Sequence, residues 1–466
     1  MVDRLVDKIG PWHDRWLPKS VRGAWLSLTG SSDLARSLVT ATIASSGLWL
    51  TGSVITFAIG IIMARQLGPA GYGIYGTVLA IVALLGVPAQ GGLPLLATRE
   101  FAAAEANEDR AMMAGLLRWF TLLVIALSIT TALTLLAVVV VFGRSFALDF
   151  RFALAWGSLL IPGFALCALF AGMIRGQGRV VRGQTLDVIA RPLLFLAGLA
   201  LLLLAGDHLD PETAVALQAI AALVAGIAGV LLVVAALPPH VGPRQAPKHH
   251  FRRWLISAAP MTLTEGMRQL DGAYGVLLVS LLATTADAGL YRVALSCLAV
   301  VSMPISLQNI VVAPYFSRCF ASGDLRAVQR IASGSALFMT ASVAVMTLAL
   351  VVAGHWALGA AFGAKFVPAY LPLVILSCSQ LAMAAFGSGV TLLSMTNREA
   401  VLSAIFAASV LVALLMAAAL IPLLGANGAA LAMLGGVTLR GVLINREARR
   451  SIGIRPSILS LLPVRR

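Results

Sequence analysis

The chain has 466 residues, 59% of them hydrophobic and only 11% charged, and its mean hydropathy is +0.94. This excludes the string of about three soluble domains that the length alone would suggest and implies a polytopic all-α membrane protein embedded in a lipid bilayer. The net charge of +15 invites a nucleic-acid partner, but in a chain this apolar Lys and Arg collect in cytoplasmic loops as orientation signals, so none is expected.

Residues 1–36 mix basic residues and Asp with Trp12, Trp16 and Trp25 and lack the short apolar core and cleavage site of a signal peptide. They read as a retained cytoplasmic arm lying at the interface. Apolar windows of spanning length then recur at Ser37–Met63, Tyr72–Thr98, Ala111–Phe142, Phe150–Ile174, Thr185–Ala205 and Thr213–Leu237. Together they form an N-lobe, 37–237. A Pro-rich basic segment, 238–253, follows as a cytoplasmic linker; its His249 and His250 have no Cys or carboxylate nearby to complete a metal site. The C-lobe, 254–444, holds Trp254–Ala283, Ala288–Tyr315, Ala327–Trp356, Val367–Met395, Val401–Leu424 and Ala426–Ile444, and a basic cytoplasmic tail covers 445–466. About twelve spans result. With both termini inside, alternate loops carry the Arg and Lys clusters, which fixes the expected orientation.

The seventh span is unusual. Glu265, Arg268 and Asp271 lie at i, i+3, i+6 on one stripe, opposite Leu263, Met267, Leu270 and Tyr274. Intramembrane charge usually faces a water-filled cavity or a partner. Two readings stay open: a self-neutralising trio in which Arg268 bridges both carboxylates, or a wet face used in transport.

The halves repeat. A shift of 216 positions lays Ala70, Gly73 and Tyr75 on Ala286, Gly289 and Tyr291, Pro88 on Pro304 and Arg182 on Arg398. It joins loops of like orientation, so the repeat is parallel, and two six-helix lobes should enclose a central cavity. Cys167, Cys297, Cys319 and Cys378 have no CxxC spacing and read as small apolar residues, giving neither a metal site nor a disulfide framework.

After the first span come Arg65, Gln66, Leu67, Gly68 and Pro69, then Gly71, Tyr72, Gly73 and Tyr75, a tight turn closed by Gly and Pro. With Gly91 to Pro94 before Arg99 and Glu100, Arg268 and Asp271, and Asp287 to Tyr291, this pattern resembles the polysaccharide transporter family. That family includes the O-antigen and exopolysaccharide flippases of the multidrug/oligosaccharidyl-lipid/polysaccharide exporter superfamily. The resemblance covers about Ser37 to Arg446 and implies a V-shaped pair of helical bundles. Such a protein moves a lipid-linked oligosaccharide from the inner to the outer leaflet of a bacterial cytoplasmic membrane by alternating access, and polysaccharide polymerase machinery is a candidate partner. Glu265 falls outside the family pattern.

The residues carry that reading on their own terms. An anionic, hydroxyl-rich head on a greasy tail needs a polar cavity with cations, and the Arg fork suits a diphosphate. Arg268 stands first as the substrate-binding cation because of its depth. Arg292 either contacts substrate, reaches water or pairs with Asp287, and Arg191 precedes a helix-loosening Pro192. Arg191, Arg268 and Arg292 are the three candidate cations within the spans. Gln90, Gln308 and Asn309 offer hydrogen bonds to sugar, or bridges between helices.

No cofactor is expected. The only lysines, Lys8, Lys19, Lys248 and Lys365, form no phosphate-binding loop. Membrane potential, worth roughly 2.3 kcal/mol per charge per 100 mV, suffices to bias export of an anion. Glu265 or Asp271 alternatively couples a proton or sodium ion. The nearest rival is a cation-coupled multidrug exporter of the same superfamily. A membrane polymerase or acyltransferase is disfavoured by short external loops and by the isolation of His208 and His355.

Overall fold

The computed structural model describes residues 33–206, 208–236, 251–321, 324–396 and 398–461. The N-terminal arm up to residue 32 and the linker segment 237–250, with His249 and His250, lie outside the described residues.

Among the described residues the chain is helical, with no strand. The N-terminal half contains α1 (Asp33–Gln90), α2 (Leu93–Ala106), α3 (Arg110–Phe142), α4 (Leu148–Gly176), α5 (Val180–Gln184), α6 (Arg191–Leu204) and α7 (Pro211–Ala236). The C-terminal half contains α8 (Phe251–Leu282), α9 (Thr285–Val301), α10 (Met303–Ala321), α11 (Leu325–Phe362), α12 (Tyr370–Phe386), α13 (Gly389–Met395), α14 (Glu399–Leu424) and α15 (Ala426–Ser451).

Among the described residues, nine helices are long and apolar enough to cross a membrane, or ten if the bent pair α9–α10 counts as one crossing. Two further crossings bring this to the expected twelve. The 58-residue α1 turns back at Gly68, whose φ of 65° ends one helix before Pro69 starts the next. Helix α8 is 32 residues long and adds the second, although Glu265, Arg268 and Asp271 make its middle more polar than the other crossings. Leu204, Val352 and Leu423 stay exposed, as lipid-facing side chains should.

Several spans expected to be continuous are broken. The second breaks at Gly91 and Gly92, both at positive φ, the eighth bends by 44° between α9 and α10, and the tenth breaks at Gly387, φ 73°. The first two breaks sit close to the repeat-related Pro88 and Pro304, where the missing amide weakens the helix. The tail also differs from expectation. Helix α15 continues to Ser451, and the chain then folds back on α11 and the α12–α13 break. There the Gln329 side chain accepts from Arg455 N at 2.8 Å and donates to Arg455 O at 2.9 Å, and Ser333 and Ser460 share a 2.8 Å hydrogen bond.

The repeat has a direct structural counterpart. Helix α1 packs along α9, and a Cβ on Gly73 would collide with Thr285 O and Gly289 N, while one on Gly289 would collide with Pro69 O and Gly73 N. Pro69 and Thr285 are themselves 216 apart, so the two halves exchange identical positions, as a two-fold axis requires. Only glycine permits backbones this close.

Burial follows the same axis. At the Gly73–Gly289 end one apolar core runs through both halves, from Met63 and Val78 to Ala294 and Ala429. Towards the other end the core divides. One cluster around Leu96, Phe120 and Phe170 belongs to the N-terminal half with Trp254 of α8, and another around Phe316, Val328 and Leu392 belongs to the C-terminal half. The halves are therefore joined at one end and apart at the other.

Candidate functional site: an arginine-lined cavity beneath the joined end

Pro192 has no N–H for the Val188 carbonyl, and the chain just before it, Thr185–Ala190, widens into a π-helix. The freed carbonyl leans on α1 at Gly52, where an added Cβ would lie only 2.6 Å from it. This widened turn carries Arg191 to the start of α6. Its guanidinium sits 4.4 Å from the Phe164 ring centroid and 3.5 Å from Asp187.

Arg292 reaches the same region from α9. Its position is one the repeat leaves as Gly76, and a side chain there would strike Arg292 Cδ. The guanidinium lies 5.7 Å from the Tyr72 ring centroid and 5.5 Å from that of Tyr75, within cation–π range. Tyr75 is held in turn by donating to Gln218 Oε1 on α7 at 2.5 Å. Arg292 Nε is buried without a hydrogen-bond partner, and among the described residues no carboxylate pairs with this side chain. Asp287, the expected alternative partner, is engaged with Thr284 in capping α9 instead.

Both arginines line a cavity of about 150 Å³ with Tyr72, Tyr75, Gln218 and Ser296. An adjoining cavity of about 320 Å³ shares Thr56, Arg191, Pro192 and Ser296 with it and extends to Trp49 and Ser53. Asp187 offsets Arg191, so the surplus charge belongs to Arg292. The arrangement suits an anion that carries hydroxyl groups: one uncompensated fork, one compensated fork, and amide and hydroxyl donors between them.

The other expected site residues fall elsewhere. Arg268 donates to Glu265 at 2.5 and 3.0 Å and is 68% exposed, and it does not bridge to Asp271. Asp271 instead receives both arms of Arg440 on α15, at 2.7 and 2.8 Å, and Arg440 stacks 4.3 Å from the Phe406 centroid. The self-neutralising trio is thus two separate pairs. Arg440 is absent from the candidates drawn from the sequence because the window Ala426–Ile444 reads as an apolar span, although an Arg inside it is itself the signal. Asn309 accepts from Thr391 at 3.1 Å, a bridge between α10 and α13, while Gln90 and Gln308 are half-buried and line neither arginine cavity.

Pro260, Thr264, Arg268 and Asp271 do share one face of α8. Pro260 and Thr264 line a larger cavity of about 770 Å³, between Leu95, Thr98 and Arg99 of α2 and Ser394, Leu402 and Ser403 of α13 and α14. This is the opening between the halves.

At the joined end the seal has three layers. Gly73 and Gly289 press backbone to backbone. Phe57 and Tyr72 of α1 meet Phe362 and Phe366 edge-on, at 6.0 and 6.4 Å between centroids. Arg65 donates to Ala361 O at 2.6 Å and to Ala360 O, carbonyls in the last turn of α11, where the helix dipole favours a cation.

The profile of a family described as polysaccharide biosynthesis protein matches residues 38–320. No curated protein matches the sequence. Among solved structures, an inward-facing multidrug resistance MATE family transporter of the MOP superfamily aligns at TM-score 0.71 and 11% identity, over 88% of this chain and 98% of that one. The lipid II flippase MurJ, in an inward closed conformation, aligns at TM-score 0.68 and 12% identity, over 87% of each chain. A MOP superfamily transporter from Pyrococcus furiosus, noted for the reverse polarity of its binding pocket, aligns at TM-score 0.57 and 15% identity, over 89% and 96%. At these identities the likeness establishes the exporter fold.

Proposed function

The chain belongs to the polysaccharide biosynthesis protein family and has the fold of the MOP exporters, and from that premise we propose that it is a multi-pass membrane transporter that flips a polyprenyl-diphosphate-linked oligosaccharide from the inner to the outer leaflet of a bacterial cytoplasmic membrane. The observation that carries this reading is Arg292, a cation in a membrane-embedded cavity with an unbonded buried Nε and no carboxylate partner among the described residues. Leaving a charge unpaired there costs roughly several kcal/mol, which a bound anion recovers. A diphosphate supplies paired acceptors for the Arg292 and Arg191 forks, and Gln218, Ser296 and Thr56 supply hydrogen bonds for sugar hydroxyls.

The basic loops orient the joined end outward and the open end towards the cytoplasm. In this conformation a head group enters between the halves past Arg99, Thr264 and Arg268 and climbs to the arginine cavity below the seal. Export follows when the seal at Gly73, Phe362 and Arg65 parts and the inner opening closes, with the lipid tail left in the bilayer throughout. Asp271, held by both arms of Arg440, takes part in ion coupling only if that pair opens. The cationic lining disfavours the rival cargo, an organic cation.

The test is translocation of a fluorescent lipid-linked oligosaccharide in proteoliposomes. Arg292→Ala should abolish it in a protein that keeps its unfolding temperature, Arg292→Lys should keep a fraction, and Arg268→Ala should have the smaller effect. Full transport by Arg292→Ala removes this site from the mechanism. Drug efflux by the wild type without transport of the oligosaccharide would favour the multidrug reading.

A further inference from the structure

Helices α2 and α8 form a wall one helix thick. On one side lies the cavity between the halves, bordered by Thr98, Arg99, Pro260 and Thr264. On the other side, about half a turn round each helix, lies a second cavity of about 260 Å³ with an almost wholly apolar lining. Leu93, Phe120, Leu123, Leu127, Trp254 and Ala258 line it, and Trp119, 39% exposed, stands at its rim. Phe120 and Trp254 make an edge-to-face pair at 5.1 Å that forms its floor.

Gly92 meets α8 without a side chain, and a Cβ there would be 2.8 Å from Ala258 O and 2.9 Å from Thr262 Oγ1. Gly91 and Gly92 also form the break between α1 and α2, at φ of 53° and 67°. The seam is therefore closed by backbone contact and hinged on two glycines.

We propose that the apolar cavity at α1, α2, α3 and α8 is a docking site for the single isoprenoid chain of the cargo lipid, with its anionic head across the α2–α8 seam beside Arg99. Three features select this occupant. Water gains little from a pocket with so few polar atoms at membrane depth, whereas hydrocarbon does. The volume lies below the usual range for drug-sized ligands, roughly 300–1,000 Å³, and fits a segment of one chain better than a diacyl pair. Arg99, half-exposed although it donates to Glu100 at 2.8 and 3.2 Å, stands on the far side of a wall about 10 Å thick, a span the neck of a polyprenyl phosphate bridges when the glycine hinge opens. The site rests on the flippase reading for its biological role, but binding at it is measured separately.

The probe is a long-chain polyprenyl phosphate bearing a diazirine near its head end, added to the purified full chain in nanodiscs. Photolabelling should fall on residues 119–127 and 254–262. Excess unlabelled polyprenyl phosphate should suppress it about tenfold, and dioleoyl phosphatidate at the same mole fraction should not. Filling the cavity with Ala259→Trp, or separately with Leu127→Trp, should reduce labelling about tenfold at an unchanged unfolding temperature. Arg292→Ala should leave the labelling intact even while it stops transport, so the two readings fail separately. Equal competition by phosphatidate, labelling confined to other helices, or undiminished labelling of both filled variants would overturn the proposal.

Discussion

A single methyl group at the joined end should reset the conformational balance. In Gly73→Ala the new Cβ meets the Thr285 carbonyl and the Gly289 amide, backbone atoms of α9 that cannot rotate aside, so α1 and α9 must separate. Overpacking of this kind costs roughly 1–3 kcal/mol. Only the sealed conformer pays that cost, because the contact disappears when the halves part at this end. The population should therefore shift about 5- to 150-fold towards the parted state. Spin labels at Val141 of α3 and Trp356 of α11, both exposed near this end, report the separation by double electron–electron resonance. The distance distribution of Gly73→Ala should lengthen or gain a longer component. Gly289→Ala should match it through the two-fold relation, and the double variant should add little because both methyls open the same seam. An unchanged distribution in both single variants would refute the glycine seal.

The other consequences are simpler to state. Arg65→Ala removes two charge-assisted bonds to the end of α11, each worth roughly 1.5–3 kcal/mol before solvent screening, and should lengthen the same distance; Arg65→Lys should lengthen it less. Arg440→Ala leaves Asp271 without its partner and should lower stability by about 3–5 kcal/mol in thermal unfolding, whereas Asp271→Asn with Arg440→Met should recover most of the loss. Gln329→Ala loses both bonds to the Arg455 backbone, so the Arg455 amide should exchange with deuterium faster than in the wild type, with the rest of the chain unaffected.

The contrast between Arg268 and Arg292 shows how far local pattern reaches. Position along the chain placed Arg268 near the middle of a crossing, which made it the natural cation for a head group. Its side chain closes on Glu265, one turn away, and leaves the arginine cavity to Arg191 and Arg292. Arg292 looked like a residue near a helix end. The close approach of Gly73 and Gly289 brings it over Tyr72 and Tyr75, 217 to 220 positions away in sequence.

Hydropathy, basic loops and the 216-residue shift were enough to give the all-α membrane class, the number of crossings and the repeat, because each depends on the solvent every segment meets or on similarity read directly from the letters. The turn at Gly68 was equally legible, since glycine and proline dictate it locally. Which end of the molecule is sealed, how Asp271 finds Arg440 across 169 positions and why the apolar cavity backs onto Arg99 were settled only by packing. Those relations depend on how helices rotate and cross against one another. In a membrane, small residues and ion pairs distributed over the whole chain set that geometry, and no single stretch of sequence contains it.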